Sequence, residues 1–330
     1  MTLSRKERRK QQKRLKIKKL FDKDHAYTTK GTNYAGVLGF YQKNYKKLLL
    51  IPFILLIAAL LSILIFYTQT GDFINKGISL KGGVSITIPG ALQDTYEIEQ
   101  VLQPLVPSSD LTVRAIREAG RQKGIIIEAD IEENKELQNT LLEQATQLTG
   151  IPRENFAIET IGSSLGDTFF KQTLIAILIA FLFMGCVVFF YFRMLVPSIA
   201  VILAAFSDIV ITLAIVNLIG VRVSTAGIAA FLMLIGYSVD TDILLTTRVV
   251  KGKEGTVFDR VVSALKTGLT MTGTTFVAVL IAYIFAQSPI LKQIMLIILI
   301  GLMVDLIMTW FQNAGLLRLY YEKKRVKHEH

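Results

Sequence analysis

Six long apolar runs alternate with polar segments along the chain. A helix crosses a membrane with about 20 mainly apolar residues, because roughly 30 Å of hydrocarbon is covered at about 1.5 Å per residue. The six runs that reach this length extend over Leu48 to Thr68, Phe169 to Phe192, Val196 to Ile219, Ala226 to Thr247, Gly268 to Ala286 and Ile290 to Leu317. The pattern therefore predicts an α-helical polytopic membrane protein with six transmembrane helices.

The segment between the first two runs, residues 71–166, has the composition of a water-soluble domain. Stretches such as GVSITI and GIIIEADI indicate strands. The stretches DTYEIEQVLQPLV and NKELQNTLLEQATQL have helical spacing, and Asn134 is the expected cap of the second. The predicted order is β-α-β-β-α-β, which is the split arrangement of a ferredoxin-like domain. We expect an inserted α+β ferredoxin-like domain with a core of its own.

The composition agrees with a membrane protein, and the charges indicate its orientation. Of the 330 residues, 52% are hydrophobic, and the mean hydropathy of +0.47 is too high for a soluble domain of this size. The formal charge of +11 is concentrated in residues 1–47, in the loop 248–267 and in the tail 318–330. Because Lys and Arg near the ends of spans mark the cytoplasmic side, we expect both termini in the cytoplasm and the 71–166 domain outside the cell membrane.

Several kinds of site are excluded by the residues that the sequence lacks. The only cysteine is Cys186, which excludes an intrachain disulfide and a cysteine metal cluster. The three histidines, His25, His328 and His330, lie outside the apolar runs, which excludes a histidine proton relay and a buried histidine metal site. There is no Walker, nucleophile-elbow or HExxH motif. We therefore expect no cofactor and no enzyme activity.

Four carboxylates fall inside the predicted spans: Asp208, Asp240, Asp242 and Asp305. A charged residue at the centre of a span costs about 2.5–3.5 kcal/mol on insertion scales, so each acid requires a water path, a polar partner or a proton. We consider these four acids candidates for a proton relay. Asp240 and Asp242 are two residues apart and point about 160–200° away from each other, so they should face different environments. Alternatively, the acids only hydrogen-bond neighbouring helices.

The fifth run begins with a polar stretch, ALKTGLTMTGTT. Thr270, Thr272 and Thr274 could solvate a proton path, and Lys266 is the nearest cation. The alternative is helix packing through small and hydroxyl residues, which is the more common use of such a stretch. Lys266 could instead extend toward the membrane interface.

Three motifs carry a family resemblance. They are GISLKGG (Gly77–Gly83), in which Ser79 replaces a usual aspartate, IGSSLGDTF (Ile161–Phe169) and LIGYSVDTDILLTTRV (Leu234–Val249). Together they resemble SecF, in the SecD/SecF family of protein-export membrane proteins, in the form typical of archaeal members. The resemblance covers about Tyr41 to Leu317.

The resemblance implies one six-helix half of a transporter of the resistance-nodulation-division superfamily. Such a subunit would pair with a homologous SecD subunit and, at the Sec translocon channel, promote the export of unfolded polypeptide with the proton motive force. The resemblance also implies that Asp240 carries the proton, because it occupies the acidic position of the SecD version of the motif, whereas bacterial SecF has its aspartate at the place of Thr241. An acidic residue of the family matches Asp208.

Some alternatives remain open. The basic arm from Arg5 to Lys19 is interpreted as a segment attracted to anionic lipid, at about 1 kcal/mol for each cation near the surface, and not as a specific nucleic-acid site. Solvated disorder is the other interpretation of this arm. The chain could also be a translocon scaffold subunit without energy coupling, a proton-driven small-molecule exporter of the same superfamily, or a SecD subunit. The short insertion between the first two runs argues against the last two.

Overall fold

The structure is a computed structural model that describes residues 34, 36–107, 111–118, 121–131, 135–252, 255–286 and 288–329. The basic arm from Arg5 to Lys19 and the predicted cap Asn134 lie outside these residues. Two helices open the described chain, α1 (Gly36–Leu48) and α2 (Leu50–Thr70), and α2 is the first candidate span.

A small α+β domain follows α2. Its elements are α3 (Ile78–Lys81), β1 (Gly83–Pro89), α4 (Thr95–Leu102), β2 (Leu111–Glu118), β3 (Arg121–Ala129), α5 (Lys135–Thr149) and β4 (Ala157–Ile161). The sheet has the order β2-β3-β1-β4, and its three strand pairs are antiparallel. Helix α4 begins after Asp94, whose carboxylate accepts the Tyr96 N–H at 2.9 Å. The chain therefore contains a mainly helical membrane part and a small antiparallel sheet, as the sequence predicts.

The inserted domain has an apolar core between its sheet and its helices. Ile86 of β1 lies opposite Ile127 of β3, and both are at most 1% exposed. Leu102 of α4 and Leu141 of α5 complete the same core and are fully buried. Because each such side chain contributes about 1.5–3 kcal/mol on burial, the domain does not depend on a disulfide for its cohesion.

Glycines form the base of the domain, where β1 meets the next long helix. Gly82 has a φ of 93°, and a Cβ there would lie 2.5 Å from the Cα of Ser163. A Cβ on Gly83, with a φ of 120°, would lie 2.4 Å from the carbonyl oxygen of Ala129. Only glycine fits these left-handed, crowded positions, which explains the GG of the GISLKGG motif.

The remaining long helices form the rest of the bundle. They are α6 (Ser163–Phe192), α7 (Leu195–Leu218), α8 (Thr225–Lys251), α9 (Val257–Phe285) and α10 (Pro289–Ile307), followed by a π turn (Met308–Asn313) and α11 (Ala314–Glu329). The last three form one continuous stretch whose residues Pro289–Lys324 are the sixth candidate span. The described residues thus contain six helices long and apolar enough to cross a membrane.

Helices α7, α8 and α10 form the centre of this bundle and pack on one another. In each of the third, fourth and sixth spans, 56% of the 18 most apolar consecutive residues are buried, whereas only 6–17% are buried in the first, second and fifth spans. The link between the fourth and fifth spans is shorter than the predicted loop 248–267, because α8 continues to Lys251 and α9 already begins at Val257. A capping box between Thr256 and Asp259 fixes that early start.

Candidate functional site

Three of the four predicted intramembrane acids meet in the centre of the bundle. Asp208 on α7, Asp242 on α8 and Asp305 on α10 are at most 1% exposed. Asp208 interacts electrostatically with both other acids, and Asp242 interacts with Asp305. Among the described residues, none of the three makes an ion pair. The three helices therefore bring like charges together without a cation.

Uncharged side chains supply the hydrogen bonds of this acid cluster. Ser238 donates to Asp208 Oδ2, Asn313 donates to Asp242 Oδ1 at 2.7 Å, and Thr309 donates to Asp305 Oδ1 at 2.9 Å. These donors keep a carboxylate in place, but they do not neutralise it.

Several buried oxygens of the cluster have no hydrogen-bond donor among the described residues. They are Asp208 Oδ1, Asp242 Oδ2, Thr212 Oγ1, Gln312 Oε1 and Asn313 Oδ1. A buried acceptor without a donor costs about 1–3 kcal/mol. A protonated carboxyl group can donate as well as accept, so a proton added to one acid can satisfy the oxygen of a neighbour. The arrangement is thus chemically suited to hold and share protons.

The π turn contributes three of the polar side chains in this region. Thr309, Gln312 and Asn313 are all fully buried, and Gln312 donates to Ser207 on α7 at 3.1 Å. π turns within α-helices occur frequently at functional sites. These residues were not among the predicted site residues, although the polar residues of TWFQN within an apolar run were a usable signal.

Asp240 lies outside the acid cluster, on the exposed surface of α8. Met233 and Tyr237 share this surface and are 46% and 38% exposed. A Cβ on Gly236 would contact nothing within 4 Å, so the surface beside Asp240 is open. As predicted, Asp240 and Asp242 face different environments.

The predicted polar path on α9 is not joined to the acid cluster by any described hydrogen bond. Thr270 and Thr274 are exposed, and their hydroxyls donate to carbonyl oxygens of their own helix at 2.9 Å and 2.8 Å. Thr272 is buried, and Lys266 is exposed. The exposed members lie on the bundle surface, as Asp240 does.

The link between α7 and α8 binds the inserted domain through its backbone. The Val223 N–H donates to the carbonyl of Asn75 at 2.7 Å, and the Gly77 N–H donates to the carbonyl of Val223 at 2.8 Å. The amide of Asn217, near the end of α7, donates to the carbonyl of Phe73 at 3.0 Å. The segment that enters the domain is thereby tied to the same end of the bundle.

Together with the backbone bonds of Asn75, Gly77 and Val223, side chains form a clamp between the inserted domain and the bundle. Arg222 donates to Thr112 of β2 and lies 3.9 Å from the carboxylate of Glu128 of β3. Lys292, near the start of α10, donates to the carbonyl of Arg117. Helices α7, α8 and α10, which carry the acid cluster, therefore also hold the domain at their ends.

Comparisons with known proteins are consistent with this architecture. A family model described as "Protein export membrane protein SecD/SecF, C-terminal" matches residues 142–323. The protein-export membrane protein SecF of Pyrococcus furiosus is 37% identical over 86% of this chain and 93% of its own length. SecF of Methanocaldococcus jannaschii is 38% identical over 86% of this chain and 99% of its own length.

The fold has a solved counterpart. The crystal structure of SecDF, a translocon-associated membrane protein from Thermus thermophilus, matches 88% of this chain with a TM-score of 0.70 at 17% identity. The chain spans 40% of the length of that SecDF chain. The family model matches residues 142–323, and the archaeal relatives are similar along nearly their whole length. The chain therefore belongs to the SecF family of protein-export membrane proteins.

Proposed function

We propose that the chain is an auxiliary subunit of the Sec translocase, which pairs with a SecD subunit and promotes protein export across the cytoplasmic membrane with the proton motive force. The subunit acts by changing its conformation and not by catalysing a reaction. The similar archaeal proteins are protein-export membrane proteins, which supports a role in protein export. The SecDF chain, of which this chain matches 40%, supports a second, SecD-like half as the partner.

One observation carries the energy-coupling part of the proposal. The helices that contain the buried acids, α7, α8 and α10, are the helices whose ends hold the inserted domain. A change in the protonation of the acid cluster alters the repulsion between these helices and so favours one packing over another. Because their ends are bonded to the domain, a shift of the helices is passed on to it. One charge that moves through 100 mV releases about 2.3 kcal/mol, so a few protons suffice for such a switch.

The exposed face around Asp240 is where we place the SecD subunit. A carboxylate that faces lipid costs about 2.5–3.5 kcal/mol near the centre of a span. A polar partner surface that covers Asp240 removes this cost, and the open space at Gly236, which has no side chain, permits close approach of a helix. Asp240 thus remains a proton-relay candidate at the subunit interface, beside Asp208, Asp242 and Asp305 in the bundle. Lys266, Thr270 and Thr274 on the neighbouring helix are further candidates for the same interface.

The inserted domain is the part that we expect to meet the exported polypeptide. We infer that it is ferredoxin-like, which the strand order β2-β3-β1-β4 and the two helices α4 and α5 support. The basic ends of the sequence support cytoplasmic termini, which puts the domain outside the membrane. There it can retain or pull a chain that emerges from the translocon channel. The basic arm from Arg5 to Lys19 would bind anionic lipid on the cytoplasmic side.

The test is export of a secretory reporter into membrane vesicles with an imposed proton gradient. Wild type is compared with Asp242→Asn and Asp240→Asn at equal abundance, with Glu143→Gln on the exposed surface of α5 as the control. Asparagine has nearly the shape of aspartate but carries no exchangeable acidic proton. We expect the stimulation by the gradient to disappear in at least one aspartate variant and to persist in the control. If both aspartate variants retain full stimulation, neither Asp240 nor Asp242 carries the coupling, and the remaining readings are a relay through Asp208 and Asp305 or a scaffold without energy coupling.

A further inference from the structure

Helix α1 is docked on the bundle by one of its faces. The Tyr41 hydroxyl donates to the carbonyl of Trp310, and the Tyr45 hydroxyl donates to Glu322. Arg318 donates to the carbonyl of Gln42 at 3.2 Å, and its guanidinium lies 3.8 Å from the centre of the Tyr45 ring. Burial raises the pKa of Tyr41 to about 12, so its hydroxyl remains a donor. These contacts fix the rotation of α1 about its own axis.

The exposed part of α1 is both apolar and basic. Val37 is 85% exposed and Phe40 is 61% exposed. Lys43, Lys46 and Lys47 are exposed as well, and α1 contains no acidic residue. Phe40, Lys43 and Lys47 are spaced at three and four residues, which places them on one side of the helix. Because the docked face of α1 is held against the bundle, α1 cannot rotate to bring Val37 and Phe40 into contact with the bundle.

The ends of α1 place it at the surface of the membrane. Its last residue, Leu48, directly precedes the first span, α2. Before its first turn, Tyr34 donates to Asp259 at 2.9 Å and packs edge-on against Phe258, at the start of α9. Helices α2 and α9 are the first and fifth of six candidate spans, so both begin at the same face of a membrane. A helix held between these two points lies on the membrane face at which the first and fifth spans begin.

We propose that α1 is an interfacial helix that binds anionic lipid, with Lys43, Lys46 and Lys47 at the phosphates and Val37 and Phe40 inserted among the upper acyl chains. A basic and apolar face at headgroup level is the pattern of such helices, and lysines near an anionic surface are attracted to it. The occupant is the bilayer surface itself. This inference is independent of the proposed export function and of the basic arm, which lies outside the described residues.

The experiment measures the depth of α1 in the full chain. Cys186, the only cysteine of the sequence, is replaced by alanine, and Phe40→Cys is labelled with the fluorophore bimane. Leu92→Cys, on an exposed residue of the inserted domain that is 67% accessible, is the matched control. Both proteins are reconstituted in phosphatidylcholine with and without phosphatidylglycerol. Quenching is measured with spin-labelled lipids and with aqueous iodide.

We expect spin-labelled lipid to quench bimane at position 40, and iodide to quench it at position 92. Phosphatidylglycerol should increase the lipid quenching at position 40, and the triple variant Lys43→Gln, Lys46→Gln, Lys47→Gln should abolish this increase. Equal iodide quenching at the two positions would place α1 in water and overturn the proposal. Protection of position 40 from both quenchers would also overturn it, because a protein surface would then cover α1.

Discussion

Removal of the Arg222 side chain tests the clamp between the inserted domain and the bundle. In Arg222→Ala the domain loses the hydrogen bond from Arg222 to Thr112 and the ion pair of Arg222 with Glu128. The side chains of Arg222 and Glu128 are only 13% and 12% exposed, so water replaces these interactions poorly. The carbonyl of Arg222, which accepts from Gln293, is unaffected because it belongs to the backbone.

The magnitude follows from the two interactions. A hydrogen bond that involves a charged group contributes about 1.5–3 kcal/mol, and a long, partly exposed ion pair adds about 0.2–1 kcal/mol. We expect the docked state to lose about 2–4 kcal/mol. At about 1.4 kcal/mol for a factor of ten, this loss raises the undocked fraction by about 30- to 700-fold.

Hydrogen exchange of single amides is the assay. The N–H groups of Gly77 and Val223 are hydrogen-bonded across the clamp, so they should exchange faster in Arg222→Ala by the same factor. Amides in β3, within the core of the domain, should keep their rate, which distinguishes undocking from unfolding. Arg117→Ala is the control, since its exposed side chain is removed while the carbonyl that accepts from Lys292 remains. Unchanged exchange at Gly77 and Val223 would show that the Arg222 side chain does not hold the inserted domain on the bundle.

Two further variants probe the bundle. Asn313→Leu removes one donor to the carboxylate of Asp242 and should lower the free energy of unfolding by about 1–3 kcal/mol, measured in detergent. A much smaller loss in an Asp242→Leu background would show that the effect runs through this hydrogen bond, and an equal loss would contradict it. Gly301→Ala brings a Cβ to 2.4 Å from Leu234, and this overpacking of α8 against α10 should cost about 1–3 kcal/mol. Gly273→Ala, whose Cβ meets nothing within 4 Å, is the control and should melt at or slightly above the temperature of wild type, because alanine is the better helix former.

The elements of the fold could be predicted from the sequence because each has a strong local signal. Apolar runs of the right length mark the six helices, and alternation marks strands such as β1 and β2. The early start of α9 was less visible, because residues 257–267 are too polar to count as part of a span. Its capping box lies in the sequence, but a capping box marks the start of a helix and not the start of a membrane span.

The candidate site could be predicted only in part. Sequence identified all four acids, since a carboxylate in an apolar run is easily recognised. Which of them meet depends on the rotation of each helix, and this is set by packing between helices far apart in the chain. The separation of Asp240 from Asp242 followed from helical geometry, but nothing local indicated which one faces inward. The roles of Ser238 and Asn313 became visible only with the three helices assembled.

The helix that leads out of the π turn of the sixth span also determines how two distant surfaces of the protein are aligned. Each residue of an α-helix turns the chain by about 100°. Asn313, at the end of the π turn, hydrogen-bonds Asp242, whereas Arg318, five residues later, donates to the carbonyl of Gln42 in α1. A deletion of one residue between Asn313 and Arg318 would rotate the two side chains relative to each other by about 100°. The acid cluster and the docking site of α1 therefore share one helical phase, and the number of residues between Asn313 and Arg318 keeps both in register.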